Sequence, residues 1–110
     1  MKFFDSEIVK KELEEIQFLQ ERIYNKIFSL SSMDREEKLD HIQTLQDLLE
    51  RQKILYTRLK LSDDEEAIRI RKKIEESAMT MGMPENFDMN VVFNNMSNII
   101  ETMKNTIERA

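Results

Sequence analysis

Two pairs of carboxylates stand one helical turn apart in this chain: Glu12 with Glu15, and Glu37 with Asp40. On facing helices such pairs can hold magnesium, which takes oxygen ligands, bridges phosphate oxygens and prepares a water for attack. The competing reading is solvated charge beside an apolar seam, and 22 acids in 110 residues make the spacing easy to find. The one histidine, His41, is four residues from Glu37 and shares its helix face. A di-iron bundle would require Glu three residues before it, where this chain has Lys38, so His41 is expected to be a surface or half-buried imidazole. With no cysteine there is no thiol nucleophile, disulfide, zinc-thiolate or iron-sulfur site.

The acidic pairs resemble the Glu-x-x-Glu and Glu-x-x-Asp pairs of the all-α nucleoside triphosphate pyrophosphohydrolases. That resemblance implies a magnesium-dependent nucleotide hydrolase with Glu12, Glu15, Glu37 and Asp40 as metal ligands. The chain departs from the family at Lys11, where a further acid belongs, and offers no basic constellation for the nucleotide. The primary expectation is therefore no catalytic residue, no metal and no cofactor, with the hydrolase as the alternative.

Other residue groups have plainer readings. Arg69, Arg71, Lys72 and Lys73 sit between Asp63–Glu66 and Glu75–Glu76, which reads as a salt-bridged face. A net charge of −5 argues against a nucleic-acid partner, which needs a clustered basic face. Five of eight methionines fall between Met81 and Met103; Met96 and Met103 are expected to fill a core, the alternative being an adaptable binding surface. No apolar run is long enough for a membrane span, and Met1 to Val9 has no signal-peptide core, so a cytoplasmic protein is expected.

The elements that must position these residues are helices. One Gly and one Pro in 110 residues leave almost nothing from which to build strand-connecting turns. A single all-α domain is predicted over 1–110, with helices over roughly 5–31, 34–61, 63–81 and 88–109. Asp5 is the expected cap of the first, with Phe4 against Val9 as a staple, and Val9, Leu13, Ile16, Gln20, Ile23, Ile27 and Leu30 as its seam. Asp34 with Glu37 starts the second, and the short link makes these two a long antiparallel hairpin. Ser62-Asp63-Asp64-Glu65 reads as a capping box for a mostly solvated third helix ending near Gly82. Asp88 caps the fourth, whose seam is Met89, Phe93, Met96, Ile100, Met103 and Ile107, flanked by Val92 and Ile99.

The segments Phe3–Val9, Asp34–Glu36, Leu49–Asp64 and Asn95–Glu108 together resemble a small uncharacterised family. It is a domain of unknown function found in cyanobacteria and in the T4-like phages that infect them. The chain is more charged than that family between Glu65 and Pro84. The resemblance implies a cytoplasmic protein of such a host or phage with a regulatory or adaptor role, and it carries over no catalytic residue. The expected function is a non-enzymatic interaction module, a structural subunit of a larger assembly being a further alternative. Three wide apolar stripes exceed what one short bundle can cover, so a homodimer is expected. Its face is placed on Val92, Phe93, Met96, Ile99, Ile100 and Met103, or on the outer edge of the first helix.

Overall fold

A computed structural model describes residues 2–110. It contains α1 (Glu7–Lys26), α2 (Arg35–Leu61), α3 (Glu65–Thr80) and α4 (Met89–Arg109), with 3-10 turns at Phe3–Asp5 and Ile27–Ser32 and no strand among the described residues. Two starts follow the capping chemistry of the sequence. Asp34 accepts from the Glu37 N–H at 2.8 Å, and Asp88 accepts from the Asn90 N–H at 2.9 Å. The end of α3 is equally explicit: the Met83 N–H reaches the Ala78 carbonyl and the Gly82 N–H the Met79 carbonyl, a Schellman pair around Gly82 at φ 110°.

Two starts and one end differ from expectation. Asp5 lies inside the first 3-10 turn, and Ser6 takes the N-cap position of α1 without a side-chain bond. Ser62 accepts from the Asp64 N–H at 3.2 Å, a turn two residues long, so Asp64 and not Ser62 is the N-cap of α3. The α-helix of the first segment stops at Lys26 and tightens into 3-10 geometry. Ser29 and Ser32 there donate to the carbonyls of Lys26 and Ser29, both at 3.0 Å, binding carbonyls three residues back.

Helix α2 is the centre of the molecule. Helices α1 and α4 pack antiparallel along it, while α3 follows its C-terminal end and also meets the first 3-10 turn. Fully buried Ala67 lets α3 approach closely there. The core is formed by Ile42 and Leu49 of α2 with Met89, Phe93 and Ile100 of α4, joined by Tyr56, Ile74 and Ala78. On α1 the buried residues are Val9, Ile16 and Leu19, so Leu19 replaces Gln20 in the expected seam and Leu13 lies at the margin. The result is thin. The axes measure 48 × 33 × 19 Å and the radius of gyration is 16.0 Å, against about 13 Å for a compact chain of this length.

Candidate functional site

Three of the four acids that sequence spacing offered as metal ligands are held by bases across the α1–α2 contact. Arg58 Nε donates to Glu12 Oε1 at 2.8 Å, and Arg51 is paired with Glu15. Toward the other end Asp40 accepts from Arg22 at 3.4 Å and Lys26 at 3.2 Å. Asp40 precedes Arg51 by eleven residues, about 16 Å along α2, so the two carboxylate pairs do not converge. Glu37 is exposed in the first turn of α2. Among the described residues no group of three or more His, Asp or Glu is placed to hold a metal ion. The arrangement positions helices instead. Each helix contributes acid early and base late, and antiparallel packing matches opposite signs at both ends.

His41 lies deeper than expected, at 8 % exposure, with Nδ1 lacking a hydrogen-bond partner. Burial lowers its pKa, the Lys26 ammonium lowers it further, and Asp40 opposes them. It is a neutral imidazole closing the seam between α1 and α2. On the basic cluster, Arg71 meets Glu75 at 3.4 Å, one turn along α3.

The unfilled part of the structure is a groove. Successive helical residues turn about 100°, which puts Ile16, Ile23 and Ile27 on one edge of α1 and Val92, Met96, Ile99 and Met103 on one edge of α4. Both helices run antiparallel to α2 on opposite flanks, Arg58 and Arg51 reaching α1 while Gln46 reaches Glu101 of α4. Both apolar edges therefore turn to the same side, above half-buried Leu45 and Leu48. At one end α3 crosses this side, enclosing an apolar cleft of about 320 Å³ that Ile16, Tyr56, Ile74 and Phe93 help to line. Burial and Glu75 raise the Tyr56 pKa, keeping its hydroxyl neutral there. Beyond α3 the groove is open.

The domain-of-unknown-function family DUF1825 matches residues 1–107. The chain belongs to that family. The match takes in the whole hairpin, α3 and all but the last turn of α4, so groove and charge ladder are both features of a DUF1825 chain. No curated protein and no solved structure matches.

The six residues expected on an association face divide in two. Phe93 and Ile100 are core residues packed against α2 within this chain, which corrects their placement on an intermolecular face. Val92 is half-buried against the same core. Met96, Ile99 and Met103 are open, at 43, 60 and 41 % exposure, so Met96 and Met103 do not fill the core as expected. The α4 seam turns toward Met89, Phe93 and Ile100 because these face α2, leaving the adjoining heptad positions uncovered. No helix of the described residues is long and apolar enough to cross a membrane.

Proposed function

We propose that this DUF1825 chain is a non-enzymatic interaction module, an adaptor or regulatory protein that self-associates and presents the α1–α4 groove. The supporting observation is the groove itself: two apolar helix edges facing one side of a 19 Å layer, which α3 meets at one end. Contiguous exposed apolar patches mark interaction sites on soluble proteins. The inter-helical ion pairs favour the same reading, because they occupy Glu12, Glu15 and Asp40, three of the four carboxylates that a magnesium-dependent hydrolase would need. The likeness of its opening, junction and C-terminal segments to the cyanobacterial and cyanophage family supports a cytoplasmic role in such a cell.

The test is retention by tagged wild-type chain compared with a Met96→Glu/Ile99→Glu variant whose circular dichroism is unchanged. A polypeptide, whether this chain or another, is expected on the wild type and absent from the variant. Identical retention by both would refute the groove as the interaction surface.

A further inference from the structure

We infer that the groove is occupied by α4 of a second copy of this chain, packed antiparallel on its counterpart about a two-fold axis at Ile99. The inference rests on the groove being an interaction surface and names what fills it. A folded monomer of 13.2 kDa exposes about 6,400 Å² by the surface scaling rule, whereas this chain exposes 8110 Å². The excess is above the roughly 800 Å² that each partner contributes to a standard interface.

In a chain that is 35 % charged, the twelve residues Met89–Ile100 contain no Asp, Glu, Lys or Arg. The next two charges of α4 turn toward α2: Glu101 accepts from Gln46, and Lys104 is half-buried. The outward face continues as Asn95, Asn98, Thr102 and Thr106. Both threonine hydroxyls donate to backbone carbonyls four residues back at 2.9 Å, which leaves their methyl groups to face a neighbour. A nucleic acid or a strongly charged peptide would find no complementary charge here. A second copy finds a match, since a chain of net charge −5 repels itself least where it carries no charge, and an asparagine amide both donates and accepts.

Charge at the two ends of α4 sets the direction of docking. Helix α4 is bounded by Asp88 at one end and Arg109 at the other, with Ile99 near their midpoint. Antiparallel docking places each Arg109 beside the other copy's Asp88 and opposes the helix dipoles. Parallel docking would set like against like at both ends.

Because the chain has no cysteine, a single introduced thiol reports position without ambiguity. Sedimentation equilibrium of the wild type at micromolar concentration is expected to give twice 13.2 kDa. Under mild oxidation Ile99→Cys is expected to link to itself, and a mixture of Met96→Cys with Met103→Cys to form mixed dimers above the level of either alone. Ile99→Glu is expected to weaken association roughly thirtyfold or more, the effect of losing a central anchor. A mass of 13.2 kDa throughout the concentration range would overturn the inference. So would self-linked Met96→Cys and Met103→Cys without the mixed species, or a dimer that forms no Ile99→Cys link. A monomer that still retains another polypeptide through Met96 and Ile99 would overturn the second copy and self-association alike, and leave only the groove as an interaction surface standing.

Discussion

Arg58 Nε meets the Glu12 carboxylate at 2.8 Å across the α1–α2 hairpin, and it encloses that side chain to 17 % exposure. Fixed geometry and partial burial make this pair worth more than a mobile surface ion pair. A coupling energy on the order of 1 kcal/mol is expected for Glu12→Gln and Arg58→Gln in a double-mutant cycle by urea denaturation. Exchanging the pair as Glu12→Arg with Arg58→Glu is expected to recover most of what either single exchange loses. Strict additivity of the two single changes would show that the pair contributes nothing to hairpin alignment.

Phe93 and Phe28 test how unevenly the apolar residues contribute. Phe93 is in the core with its ring centroid 5.8 Å from that of Tyr56, whereas Phe28 is 99 % exposed on the second 3-10 turn. Phe93→Ala is expected to cost about 3–5 kcal/mol of unfolding free energy. Phe28→Ala should stay within about 0.5 kcal/mol of wild type. Equal losses in chemical denaturation would mean that the 3-10 turn is packed in solution.

The contrast shows what local sequence carried. Asp34, Asp88 and Gly82 announced their roles because a cap or a Schellman end needs only residues a few positions apart. The hairpin was legible for the same reason, through a short link between two long periodic segments. What depended on neighbouring helices was not. Glu12, Glu15 and Asp40 read as candidate ligands when each helix was viewed alone, although the acid-then-base order of both α1 and α2 already matched an antiparallel pairing. The three-four periodicity of α4 could not decide which of two adjacent stripes would face α2, so Phe93 and Ile100 were grouped with Met96 and Ile99. Its charge-free run, Met89–Ile100, is visible in the sequence but encircles the helix and includes core residues, so it does not separate the two stripes. The 3-10 turn at Ile27–Ser32 depended on serine hydroxyls competing for backbone carbonyls, which apolar spacing does not record.

Gly82 separates backbone strain from steric contact. Its φ is 110°, and a Cβ placed there would meet no atom within 4 Å. Gly82→Ala is therefore expected to cost about 1–2 kcal/mol through conformation alone, without disturbing the core. The loss should show as a lower urea midpoint with an unchanged slope. An unchanged midpoint would mean that the α3 end does not hold this backbone conformation in solution.

His41 makes stability depend on pH in a stated direction. Its folded-state pKa lies below the ordinary 6.5 because burial disfavours the imidazolium and Lys26 adds repulsion that Asp40 only partly offsets. The unfolded chain then binds the proton at higher pH than the native one. The stability this residue contributes is whole above pH 6.5 and falls as the pH drops from there toward the lowered native value. Wild type is expected to melt at a lower temperature at about pH 5.5 than at about pH 7.5, and His41→Gln to lose part of that difference. Both proteins carry the same carboxylates, so the difference between the two melting curves isolates the imidazole. A wild type that gains stability on acidification through this window, relative to His41→Gln, would place a stabilising anionic partner on the imidazolium and reverse the assignment of a neutral, enclosed ring.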